Sequence, residues 1–122
     1  MHKSRLVALG IDCEGPDLDS AAAFWSAALG RKVTAVEGAY ASLEDRAGHP
    51  DLVVQRVPHP SRLHLDLETD DVEAEVARLE TLGARRVQQV GTWWVMAAPT
   101  GHRFCVVRPQ HGPLGDDANV WP

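Results

Sequence analysis

The sequence predicts an α+β fold made of two copies of one βαβββ unit. Two stretches have helical apolar periodicity, each opened by an aspartate and closed by a glycine. Short strand patterns surround both. The segment Leu29-Gly30-Arg31-Lys32-Val33 after the first helix is echoed by Leu82-Gly83-Ala84-Arg85-Arg86-Val87 after the second. Self-similarity at a spacing of about fifty residues marks a duplicated supersecondary unit.

In chain order, Leu6 to Ile11 is a nearly continuous apolar run, as in a strand covered on both faces. Glu14-Gly15-Pro16-Asp17 breaks it. Asp17 or Asp19 caps a helix to Leu29, because a short acidic side chain accepts from the free N–H groups of the first turn. Leu18, Ala21, Ala22, Trp25, Ala28 and Leu29 make its apolar stripe, and Gly30 ends it. Strands follow at Val33–Val36, Ala39–Leu43 and, after an exposed loop, Leu52–Val57. Pro58-His59-Pro60-Ser61 reads as a linker, since proline has no N–H for a ladder.

The second copy opens on Leu63-His64-Leu65-Asp66-Leu67-Glu68. Its strict alternation puts the leucines on a face needing cover and the polar residues on the other. Asp70 or Asp71 caps a helix with Val72, Val76, Leu79 and Leu82 on one stripe, ended by Gly83. Strands are expected at Arg86–Val90, Thr92–Met96 and Arg103–Arg108. This gives one domain over residues 1–110, with module one at about 5–58 and module two at about 62–109. Residues 111–122, rich in Gly, Pro and Asp, read as a tail.

With 122 residues the chain buries enough surface to fold without disulfides or a structural metal. Twelve basic against 17 acidic side chains, a net charge of −5, argue against a nucleic-acid partner. No apolar run is long enough to span a membrane, and no charged-then-apolar start reads as a signal peptide. Two cysteines without CxxC spacing, Cys13 and Cys105, fit a reducing cytoplasm.

Four segments carry a family resemblance. They are Phe24-Trp25-Ser26-Ala27-Ala28-Leu29-Gly30, Leu52 through Pro58, His64-Leu65-Asp66-Leu67 with Asp70 through Val76, and Pro99-Thr100-Gly101-His102-Arg103-Phe104-Cys105-Val106-Val107. In their order and spacing, over roughly Arg5 to Pro109, they resemble the glyoxalase-like domains of the glyoxalase/bleomycin resistance/extradiol dioxygenase (vicinal oxygen chelate) superfamily. The resemblance implies two modules forming a cupped sheet around a pocket, and a homodimer. It also implies, in metal-dependent members, one ligand on each of four strands, usually His or Glu. His64 falls on one such position. Gln55 and Cys105 stand at two others, and the first strand offers only Ala8, Leu9, Gly10 and Ile11. No bound metal and no other cofactor is therefore expected.

His64 reads either as a pocket-lining hydrogen-bonder or base, or as a histidine on the wet face of a strand. Asp66 shares its face, and the two are the acid–base candidates. Gln55 suits a polar anchor in an apolar pocket or a water-exposed position. Cys105 and Cys13 read as small buried hydrophobes, with no evident neighbour to activate a thiol. Trp93 and Trp94 point to opposite faces, one core and one pocket or surface, and the sequence does not say which. Tyr40 and Met96 are pocket or core residues, and Trp25 is structural. His2, His49, His59, His102 and His111 read as solvated residues of termini and turns.

The expected partner is a small organic molecule lodged among Gln55, His64, Asp66, Cys105, Tyr40, Met96 and one of Trp93 and Trp94. With no basic cluster for an anion, the mix suits a neutral or weakly polar ring. The resemblance leaves open whether the chain only binds that molecule, as the resistance branch does, or transforms it as an enzyme. An interaction module docking through Val120-Trp121 is a third reading.

Overall fold

A computed structural model describes residues Met1–Pro122. The elements are β1 (His2–Glu14), α1 (Leu18–Leu29), β2 (Val33–Glu37), β3 (Tyr40–Leu43), β4 (Asp51–Val57), β5 (Arg62–Thr69), α2 (Val72–Thr81), β6 (Arg85–Val90), β7 (Trp93–Ala97), β8 (Arg103–Val107) and β9 (Asn119–Trp121). Two helices accompany a mixed, open sheet of nine strands, the α+β class read from the sequence. No helix is long and apolar enough to cross a membrane.

Contacts divide the chain into two units, Ala8–His64 and Met1–Val7 with Leu65–Pro122. The division falls inside β1 and β5.

In the Ala8–His64 unit the strand order is β2-β3-β4-β1, with β1 parallel to β4 and the other pairs antiparallel. Helix α1 starts where Asp17 accepts from the Ser20 N–H and stops at Gly30, whose φ of 68° suits a residue without Cβ. Its stripe buries Leu18 and Ala22, with Ala21 and Trp25, on Ala41, Leu43, Val54, Leu52 and Cys13. Burial pushes the Cys13 thiol above its ordinary range, as expected for a packing cysteine.

The other unit repeats the scheme. Its order is β5-β8-β7-β6, with β5 parallel to β8 and the rest antiparallel. Asp71 caps α2 by accepting from the Ala74 N–H. Val76, with Val72 and Leu79, packs on Leu67, Trp94, Met96, Phe104 and Val106. The echo extends to irregularities: the β2–β3 ladder shifts register between Val33 and Ala35, and β6–β7 between Arg86 and Gln88.

Four expectations are corrected. Leu82 lies outside the α2 stripe and is exposed, since the helix ends before it. Leu63 and Leu65 are exposed too; of the alternating leucines only Leu67 packs under α2. The end of the chain is not a loose tail, because Asn119–Trp121 forms β9, antiparallel to His2–Ser4 of β1. Trp121 donates its indole N–H to Ser4 Oγ at 2.8 Å and lies under the Arg78 guanidinium. His2 is not solvated: it is buried, with Nε2 2.8 Å from Oε1 of the fully buried Glu75. Arg78 grips the same carboxylate through two hydrogen bonds. Burial alone would raise the Glu75 pKa, but Arg78, His2 and Ser4 outweigh it and hold the carboxyl below the usual range.

Candidate functional site

Strand parity decides which side chains can meet. In the Ala8–His64 unit, Cys13, Leu52, Val54, Ala41 and Leu43 face α1. Alternation then sends Gly10, Asp12, Val53, Gln55, Tyr40 and Ser42 to the opposite face. Asp12 pairs with Gln55 and Gln55 with Tyr40, so these three form one row across β1, β4 and β3. Gly10, Val53 and Ser42 form the next. Gln55 and Tyr40, both candidates from sequence, are thus side by side.

His64 closes on this face. Its Nδ1–H donates to Oδ1 of Asp12 at 2.8 Å, and the Asp12 side chain is only 5% exposed. The Arg62 Nε stands 4.0 Å from the other carboxylate oxygen. A Cβ on Gly10 would overlap the imidazole of His64, so the ring occupies the space a side chain on β1 would fill. The buried carboxylate thus holds the ring through Nδ1 and sets its orientation. Asp12 was missed from sequence because the apolar run ends at Ile11, whereas the strand continues to Glu14. A carboxylate one step beyond an apolar strand run was the available signal.

In the other unit, Leu67, Trp94, Met96, Phe104 and Val106 face α2. Asp66, Trp93, Val95, Arg103 and Cys105 take the opposite face, with Asp66, Cys105 and Val95 in one row. This settles the tryptophans: Trp94 packs under α2, with the Arg86 guanidinium 4.9 Å above its ring. Trp93 is on the face of Asp66 and Cys105. Met96, a candidate ligand contact, is fully buried in the α2 core and is a packing residue. Cys105, for which a core position and a pocket position were both read, is beside Asp66 on the face away from α2.

On β1 the carboxylate of Asp12 is engaged by His64, and β4 supplies the neutral amide of Gln55 beside it. What β5 and β8 offer is an imidazole, a carboxylate and a thiol, from His64, Asp66 and Cys105, all ligand types for a borderline divalent ion.

Comparison with known proteins defines the class. The family model described as "Glyoxalase-like domain" matches residues 8–107, and the chain belongs to that family. Its fold is that of the glyoxalase/bleomycin resistance/dioxygenase superfamily. A hypothetical protein from Bacillus halodurans C-125 superposes with a TM-score of 0.70 at 11% identity, covering 92% of this chain and 99% of that one. Methylmalonyl-CoA epimerase from Mycobacterium tuberculosis gives 0.64 at 19% identity, covering 85% and 87%. A glyoxalase/bleomycin resistance protein/dioxygenase superfamily member from Vibrio splendidus 12B01 gives 0.53 at 18%, covering 84% and 98%. No curated protein matches the chain.

Proposed function

We propose that the protein binds a small, partly aromatic or carbonyl-bearing molecule on the sheet face that carries His64, Gln55 and Tyr40. The observation that carries this reading is the Asp12–His64 pair over Gly10. Burying a carboxylate is costly unless it is paired, and here the carboxylate orients one imidazole. An oriented ring of this kind suits directed contact with a polar ligand atom. Gln55 and Tyr40 add an amide and a phenol in the Asp12 row, the few convergent polar groups that fix a ligand's orientation. Native mass spectrometry of protein from crude lysate is the test. A retained small molecule, lost in His64→Ala, is the expected result; no retained mass, together with no binding of aromatic carbonyl compounds, refutes the reading.

The same pair favours a second reading, proton transfer next to a carbonyl. A histidine backed by a carboxylate is a competent general base near neutral pH, and a neighbour in fold is an epimerase. Exchange of the α-proton of a bound ketone for deuterium, lost in His64→Ala, supports catalysis; binding without exchange leaves the protein a binder.

A further inference from the structure

The two units finish their helices differently. Outside α2, Glu73 and Glu80 are exposed and both hold Arg86, which stands three residues after Gly83 and pairs across the ladder with Met96 of the α2 core. The matching residue of the Ala8–His64 unit, three after Gly30, is Val33, paired with Leu43 of the α1 core. No ionisable side chain occurs from Ser20 through Gly30. Ser20, Ala23, Phe24 and Ala27 form one exposed stripe of α1, at i, i+3, i+4 and i+7, turned away from the core. Phe24 is 61% exposed, with its ring edge-on to that of Trp25. Leu29, at the end of the helix, is exposed too. So are Val33 and Val36 of the edge strand β2, which lie on the α1 side of the sheet because their ladder partners, Leu43 and Ala41, pack under α1.

An uncharged surface gives up little hydration on leaving water, and its phenyl and aliphatic groups gain by leaving it. A clustered apolar surface on a water-facing helix is a mark of association. The absence of charge also selects the partner. Two copies of a chain with a net charge of −5 repel, and a two-fold interface sets one patch against its own duplicate, so that a charge near the axis faces its like. The outer side of α2, with Glu73 and Glu80, would meet that repulsion, whereas the outer side of α1 avoids it. A projecting Phe24 beside the short side chains of Ser20, Ala23 and Ala27 is also self-complementary, because the ring of one copy can seat on the short residues of the other. A strongly acidic or basic partner would find no counter-charge there.

We infer that the outer side of α1 is the surface on which a second copy of this chain docks, α1 against α1, with Phe24 at the centre of the contact. The inference is independent of the ligand-binding reading and concerns a surface on the opposite side of the sheet from Gln55 and Tyr40.

Sedimentation velocity on the full-length protein across the micromolar range tests it, with circular dichroism to verify folding. The wild type should be a dimer. Phe24→Glu, at an exposed helical position, should weaken association by at least about a hundredfold, about tenfold for each copy of the residue in the contact. Ala27→Glu, on the same stripe, should also yield monomer, and it decides the matter if Phe24→Glu does not fold. Leu82→Glu, which places the same charge at a 64% exposed apolar residue beyond α2, should leave the dimer intact. A monomeric wild type, a dimer that survives both α1 substitutions, or equal dissociation by Leu82→Glu overturns the inference.

Discussion

Gly10→Ala probes the site at its tightest point. Gly10 adopts no positive φ, so alanine suits the backbone and, in a strand, would by itself gain about 0.5–1 kcal/mol. The added methyl, however, lands in the His64 ring. Forcing a carbon into filled space costs about 1–3 kcal/mol. If the ring swings away, the bond to Asp12 goes with it, worth about 1.5–3 kcal/mol for a charge-assisted pair. The two costs overlap, because movement relieves the clash, so the net loss should be about 2–3 kcal/mol. Urea unfolding at constant m-value reads it directly. The decisive control is the cycle with His64→Ala. Once the ring is absent, Gly10→Ala should cost nothing or stabilise slightly, giving a coupling of about 2 kcal/mol or more. A single-variant effect within about 0.5 kcal/mol, or additive effects around the cycle, would refute the packing of His64 over Gly10.

Glu75→Gln should destabilise by about 3 kcal/mol, since it unpairs Arg78 and His2 in a buried place. The Glu75 carboxyl titrates below its unfolded value of about 4.3, so its contribution is full above that pH and is lost as pH falls through the lower folded value. Urea midpoints measured from about pH 6 down to about pH 3 should fall less steeply in Glu75→Gln than in wild type, and equal slopes would contradict this. Deleting residues 116–122 removes β9, the Trp121–Ser4 bond and the Arg78–Trp121 stack, and should cost about 2–4 kcal/mol by thermal or urea unfolding; a change under about 0.5 kcal/mol would return the segment to the status of a tail. Elemental analysis of untagged protein should find no stoichiometric zinc, nickel, manganese or iron, given Gln55 and the engaged Asp12; one equivalent per chain, held by His64, Asp66 and Cys105, is the contrary result. Sedimentation at micromolar concentration should show a homodimer covering exposed apolar residues such as Leu63, Leu65 and Phe24, and a monomer would refute it.

What the sequence determined by itself was whatever depends on near neighbours. Asp17 and Gly30, and Asp71 and Gly83, mark the helix ends because capping and left-handed turns act within a few residues. The repeat of those marks was enough to read two βαβββ units, and alternation put His64 and Asp66 on one face of β5. Tertiary structure alone decided what depends on pairing distant segments. Asp12 and His64 are 52 residues apart, and their bond exists because Gly10 leaves room for the ring. The parity of Trp93 and Trp94 was unreadable because Trp93 to Ala97 is apolar at every position; packing of Met96 and Val106 beneath α2 fixed it. The burial of His2 and the pairing of β9 likewise follow from the polar start of β1, His2 to Ser4, meeting the far end of the chain, 117 residues on from Ser4 to Trp121.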